Sequence, residues 1–146
     1  MIELITNDLK NAMKLQNKPR ITGLRNLLGK LKAKQIDKGS PLEDNECIKI
    51  LNSTAKQLKD SIEQYTSAKR LDLVEIEKYE LLLVQEYLPE PMSENEIKKE
   101  IKEIIKEHNA TSMADMGKIM GLTMNKLSGA VDGNIVQKIV RDELNK

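Results

Sequence analysis

The chain has 146 residues, of which 32% are charged and 39% are hydrophobic, and its formal net charge at pH 7 is +1. It contains three Tyr and neither Phe nor Trp, which excludes modules that stack unpaired bases on exposed aromatic rings. The single cysteine, Cys47, and the single histidine, His108, cannot make an internal disulfide or a zinc site, and no run of about 18 apolar residues indicates a membrane span.

Apolar residues recur at helical spacing through the first half of the chain and predict four amphipathic helices. The first is predicted from about Ile2 to Gln16. The second includes Pro19 in its first turn and ends at Gly39, which can adopt the left-handed conformation that terminates helices. Capping-box patterns predict that the third helix starts at Ser40–Glu43 and that the fourth starts at Asp72–Glu75.

Two glycines, Gly23 and Gly29, fall inside the predicted second helix. Each weakens a helix by up to about 1 kcal/mol relative to alanine unless it allows close packing. The sequence leaves both interpretations open at both positions.

A helix-breaking segment, Leu88–Pro91, predicts a boundary between residues 1–89 and residues 90–146. A capping box at Ser93–Glu96 then opens a helix to about His108. Short helical pieces are predicted at 114–120 and 122–127, and a last helix from about Gly133 to Leu144. No segment alternates like a strand, so the predicted fold is all-α and multihelical. An N-terminal helical bundle is followed by a smaller, glycine-punctuated C-terminal helical subdomain.

The sequence contains no recognisable catalytic constellation. It lacks a nucleophile elbow and a Walker phosphate loop. Cys47 lies on a helix with no histidine nearby in sequence, and Glu100, Glu103, Glu107 and His108 indicate a solvated helix face more than a metal site. We therefore predict no catalytic residue, no metal and no cofactor.

The near-neutral net charge conceals three segments of different sign. Residues 1–38 carry nine basic and three acidic side chains, residues 39–96 carry six and thirteen, and residues 97–146 carry nine and seven. The acidic middle is a poor surface for a polyanion, and the two ends are better ones. The basic second helix, from Arg20 to Lys38, is one candidate surface.

The C-terminal segment offers the other candidate surface. Its glycines predict close helix approach at Gly117 and Gly121 and left-handed turns at Gly129 and Gly133. Cations near these helix ends could bind phosphate together with the N–H groups of helix N-termini. The predicted nucleic-acid-binding residues are Lys118, Lys126, Lys138 and Arg141. The alternative is that these four are ordinary surface cations with no ligand.

Four motifs stand in the order and spacing of a known family: Arg-Leu-Asp-Leu-Val at 70–74, Tyr-Leu-Pro at 87–89, Ala-Asp-Met-Gly-Lys-Ile-Met-Gly at 114–121, and Asp-Gly at 132–133. The chain resembles a small stand-alone member of the GatB/YqeY family over nearly its whole length. The family motif marks these positions as structural: Asp115, Met116, Gly117, Gly121, Asp132 and Gly133.

The resemblance implies an indirect function. A similar module forms the helical tail of the B subunit of tRNA-dependent amidotransferase, where it contacts tRNA, and the catalytic domain of that enzyme has no match here. A carbon–nitrogen ligase activity with glutamine as amide donor is therefore implied for the family but not expected of this chain alone. The resemblance favours a non-catalytic helper that binds tRNA or another RNA. The alternative is a helical module whose third and fourth helices dock an amidotransferase or aminoacyl-tRNA synthetase.

The N-terminus gives an expectation about location. It carries Glu3 and Asp8 where a secretory signal needs a basic start and an unbroken apolar stretch. With no cysteine pair and no expected membrane partner, we expect a cytoplasmic protein.

Overall fold

The computed structural model describes residues 1–127 and 130–146, and every regular element within them is helical. The described chain forms two compact units, Met1–Leu88 and Pro89–Lys146. The predicted all-α, multihelical fold is therefore confirmed. Among the described residues, no helix combines the length and the apolar character needed to cross a membrane.

The first unit contains four helices: α1 (Ile2–Lys14), α2 (Lys18–Lys38), α3 (Asp44–Ser67) and α4 (Leu71–Gln85). Helix α1 packs against α2, α3 packs against α4, and α2 also contacts both α3 and α4. Its buried core is aliphatic and comprises Ile5, Ala12, Leu24, Leu27, Leu28, Leu31, Cys47, Leu51, Ala55, Leu58, Leu83 and Val84.

The ends of α2 follow the sequence signals. Asn17 is the N-cap and its side chain accepts a hydrogen bond from the backbone N–H of Arg20, with Pro19 in the first turn. Gly39 ends the helix with φ of 76°, the left-handed conformation that glycine adopts without steric cost.

The predicted start of α3 at Ser40 is wrong by several residues. The capping box is formed by Glu43 and Glu46, and the Glu46 carboxylate accepts from the Glu43 N–H at 2.8 Å. The later start leaves residues 41–43 non-helical, and Leu42 packs against the core of the first unit. Burial of that side chain accompanies the displacement of the cap.

The predicted capping box at Asp72 is also wrong. Helix α4 begins at Leu71, and the residue before it, Arg70, makes no side-chain cap. The Asp72 carboxylate instead accepts two hydrogen bonds from the Arg70 guanidinium, at 3.1 and 3.2 Å. Because α4 begins at Leu71, Asp72 is already the second residue of the helix and is not its N-cap.

The second unit contains α5 (Glu94–Glu107), a 3₁₀ turn at Met113–Asp115, α6 (Met116–Lys126) and α7 (Gly133–Leu144). The three α-helices pack against one another. The predicted capping box at Ser93 and Glu96 is confirmed. The core of this unit is Ile97, Ile101, Ile104, Ile119, Val136, Ile139, Val140 and Leu144.

Two expectations for the glycines of this unit fail. Helix α6 passes through Gly121 without the predicted break, because burial of Ile119 and Thr123 outweighs a glycine cost of about 1 kcal/mol. Gly133 is the first residue of α7 and does not have a left-handed φ. Gly129 lies outside the described residues.

Candidate nucleic-acid interface

The four predicted cations all lie on the surface of the second unit. Lys118 and Lys126 are exposed on α6, and Lys138 and Arg141 are exposed on α7. They differ in what surrounds them, and this difference separates one of the four from the others.

The positive charge of Lys126 is compensated by a neighbouring carboxylate. Its Nζ lies 2.8 Å from Oε2 of Glu100 on α5, and this carboxylate raises the pKa of the lysine. Glu103 and Glu107, farther along α5, add negative charge near the same lysine. A phosphate approaching Lys126 would meet carboxylates, so this predicted position is the least suited of the four to bind a polyanion.

Lys138 and Arg141 lie three residues apart on the exposed side of α7, and neither forms an ion pair with any described residue. Side chains three apart on a helix are neighbours. The opposite side of α7 is buried through Val136, Ile139 and Val140. The core therefore fixes the orientation of α7, and this orientation directs both cations to solvent.

The exposed side of α6 has an unusual composition: Gly117, Lys118, Gly121 and Asn125. A Cβ atom added at Gly117 or Gly121 would meet no atom of the described residues within 4 Å. The prediction that these glycines allow close helix approach is therefore wrong within the unit. They leave bare helix backbone beside Lys118, facing open space.

The helix N-termini of the second unit are less suited to bind phosphate than the sequence suggested. At the start of α7, the Asp132 carboxylate accepts a hydrogen bond from the Asn134 N–H at 2.7 Å. Asp115, at the start of α6, accepts from the N–H of Thr111 at 3.1 Å and of Ser112 at 3.4 Å. A carboxylate at each position would repel a phosphate, so the cationic side chains are the better phosphate ligands.

The sequence reasoning missed a row of lysines on α5. Lys99, Lys102 and Lys106 are exposed at helical spacing, and none has an ion-pair partner in the part of the chain that the structure describes. Glu100, Glu103 and Glu107 occupy the adjacent face, where Glu100 contacts Lys126. The separation of Lys and Glu onto two faces could have been found from their three- and four-residue spacing.

On α2, the other candidate surface, two of the cations form ion pairs with carboxylates. Arg20 forms a two-bonded ion pair with Glu86, both distances being 3.1 Å, and the pairing raises the pKa of Arg20. Lys38 lies 2.6 Å from Glu46. Arg20 and Lys38 are therefore engaged within the first unit, whereas the exposed Arg25, Lys30, Lys32 and Lys34 between them have no ion-pair partner among the described residues.

The remaining candidate groups offer no reactive site. Cys47 is 1% exposed, and burial raises the pKa of its thiol, which disfavours the nucleophilic thiolate. No group of three or more His, Cys, Asp or Glu side chains among the described residues could hold a metal ion.

Comparison with known proteins places these features in context. The family described as "Yqey-like protein" matches residues 2–144. Three fungal proteins named "Altered inheritance of mitochondria protein 41, mitochondrial" are similar to the chain. The protein of Pyrenophora tritici-repentis is 30% identical over 92% of this chain and 76% of its own length. Those of Clavispora lusitaniae and Saccharomyces cerevisiae are 35% and 31% identical, over 70% and 71% of this chain but 61% and 58% of their own lengths.

These relatives overturn the expectation of a cytoplasmic location, since all three are named as mitochondrial proteins. That expectation rested on cysteine usage and on the unsuitability of the N-terminal residues as a secretory signal. Both observations bear on secretion and disulfide formation, and neither distinguishes among the remaining compartments.

Proposed function

The chain belongs to the family of Yqey-like proteins, and from that premise we propose that it is a non-catalytic protein whose second unit binds tRNA or another folded RNA. The observation that carries the proposal is the set of exposed cations in that unit that have no ion pair among the described residues: Lys99, Lys102, Lys106, Lys118, Lys138 and Arg141. Unpaired cations can release counterions from a phosphate backbone, which drives nucleic-acid binding.

The surface of α6 adds a steric argument. Side chains normally keep a ligand several ångströms from a helix backbone, but Gly117 and Gly121 carry none and face open space. Lys118 lies between them in sequence and is exposed on the same side of α6. A ribose or phosphate can therefore approach the α6 backbone closely while Lys118 neutralises its charge.

The type of recognition follows from the composition. With no Phe or Trp and three Tyr in the chain, the second unit has no aromatic platform for splayed bases, because all three tyrosines precede Pro89. Recognition would then rest on the shape of the RNA and on its phosphates. This agrees with the tail-like resemblance, in which the body of the tRNA is contacted and catalysis belongs to another domain.

A binding experiment with bulk tRNA tests the proposal. Filter binding at about 50 mM salt should detect a complex with the full chain, because phosphate contacts are strongest at low salt. The variant Lys138→Glu/Arg141→Glu should weaken binding at least tenfold, since each reversal replaces an attraction by a repulsion. The matched control is Lys56→Glu/Lys59→Glu, which makes the same change in net charge at exposed positions of α3.

Equal losses in the two double variants would show that total charge alone drives binding and would contradict the assignment to the second unit. Absence of any complex at about 50 mM salt would contradict RNA binding itself. Amide formation on charged tRNA by the purified chain, with glutamine and ATP supplied, would contradict the non-catalytic assignment.

A further inference from the structure

Large apolar side chains of α4 are not confined to its core face, which is unusual for a helix at the surface of a small unit. Val74, Leu83 and Val84 are buried, as expected for its core face. Yet Leu71 is 66% exposed and Leu82 is 65% exposed, on the other side of the same helix. Tyr79, 37% exposed, lies beside them. Large apolar side chains this exposed on one helix are candidates for contact with another molecule.

The exposed face has an ordered pattern. Leu71, Glu75, Lys78 and Leu82 follow one another at spacings of four, three and four residues, and all four are exposed. This spacing places them in one stripe along the helix. The two leucines lie at its ends, about 16 Å apart at the usual rise per residue, and the two opposite charges lie between them.

The stripe is complementary to itself. When two copies of α4 run antiparallel about a two-fold axis midway between Ile76 and Glu77, Leu71 of one meets Leu82 of the other. The same operation brings Glu75 opposite Lys78, and it does so twice. Neither Glu75 nor Lys78 has an ion-pair partner among the described residues. A two-fold interface requires this kind of reciprocal match.

We propose that the exposed face of α4 binds a second copy of this chain, in an antiparallel helix pair closed by two leucine contacts and two Glu75–Lys78 ion pairs. The occupant is another copy and not a basic partner, because the stripe itself carries one charge of each sign. The neighbouring acidic groups Asp72 and Glu86 are already paired with Arg70 and Arg20. A single helix pair is a small interface, so the dimer forms at micromolar or higher concentrations.

Sedimentation equilibrium of the full chain tests this inference. From about 10 µM to about 1 mM protein, the range in which a small interface forms, the average mass should rise from monomer towards dimer. Leu82→Glu should weaken association at least tenfold, because it removes both leucine contacts. Glu75→Lys and Lys78→Glu should each weaken it about tenfold, by placing like charges opposite each other twice.

The decisive variant combines the two reversals. Glu75→Lys/Lys78→Glu restores both ion pairs in exchanged order, so association should return to within a few-fold of the original. Lys59→Glu, an exposed reversal on α3, should leave association unchanged. A monomeric mass over the whole concentration range would overturn the inference. So would a double variant that associates no better than the single ones.

Discussion

Lys126 of α6 and Glu100 of α5 form an ion pair with 2.8 Å between Nζ and Oε2. This contact joins two helices of the second unit and removes one cation from a set that looked uniform in the sequence. Lys118, Lys138 and Arg141 stay unpaired among the described residues and are available to phosphate.

Removing the pair as a whole should therefore leave RNA binding unchanged. The variant Lys126→Gln/Glu100→Gln keeps the net charge and deletes a pair that contributes little to binding. Lys138→Gln, in contrast, should lower tRNA affinity several-fold and reduce the salt dependence by about one counterion. Filter binding over a salt series distinguishes them. A loss of affinity in the double variant as large as in Lys138→Gln would assign Lys126 to the interface.

Alanine substitutions at the glycines of α6 should raise the stability of the second unit and lower its affinity for tRNA. Gly117→Ala/Gly121→Ala places methyl groups where nothing lies within 4 Å. Each replacement should stabilise the unit by up to about 1 kcal/mol, because alanine is the better helix former. The same methyl groups should weaken tRNA binding by obstructing close approach. Urea unfolding and filter binding measure the two effects, and unchanged affinity in a stabilised variant would remove α6 from the proposed interface.

Alanine substitutions at Gly23 and Gly29 of α2 should change the stability of the first unit in opposite directions. A Cβ at Gly23 would lie 2.5 Å from Cδ2 of Leu83, whose side chain is buried in the core. Gly23→Ala should therefore destabilise by about 1–3 kcal/mol through overpacking. A Cβ at Gly29 would meet nothing within 4 Å, and Gly29→Ala should stabilise by up to about 1 kcal/mol. Urea unfolding of the two variants gives the signs, and an equal change in both would contradict the close approach at Gly23.

Tyr87 should make the first unit sensitive to alkali. Burial, reinforced by the hydrogen bond that the Tyr87 hydroxyl donates to Asp8, raises the pKa of this tyrosine above its usual value of 10.0. The folded state thus holds the phenolic proton more tightly than the unfolded chain. The associated stability is fully present below about pH 10 and is lost as the pH rises above it. Tyr87→Phe should have a flatter stability profile above pH 10 in urea unfolding, and identical profiles would contradict this linkage.

The sequence predicted the elements that depend on periodicity and local capping. Pro19, Gly39 and Ser93 mark helix ends in the sequence and in the structure. The start of α3 was misplaced because a second capping box at Glu43–Glu46 competes with Ser40, and the sequence alone does not reveal that Leu42 packs on the core. Local capping patterns alone do not show which of two possible helix starts, Ser40 or Glu43, the packed structure uses.

The sequence identified the candidate cations of the second unit but not what surrounds them in the fold. Lysines at helix ends could be identified from the sequence, whereas the partner of Lys126 lies on another helix and is 26 residues away. The glycines were assigned to close packing, a role that depends on neighbours and that Gly23 has and Gly117 does not. Pairing and steric environment are properties of the fold.

The salt dependence of tRNA binding tests the central claim most directly. The logarithm of the affinity of the full chain should fall linearly with the logarithm of salt concentration, and Lys118→Gln/Lys138→Gln/Arg141→Gln should reduce the magnitude of that slope by about three, one per lost phosphate contact. We expect both a complex at about 50 mM salt and this change in slope. No complex at that salt concentration, or a slope that the three substitutions leave unchanged, would contradict it.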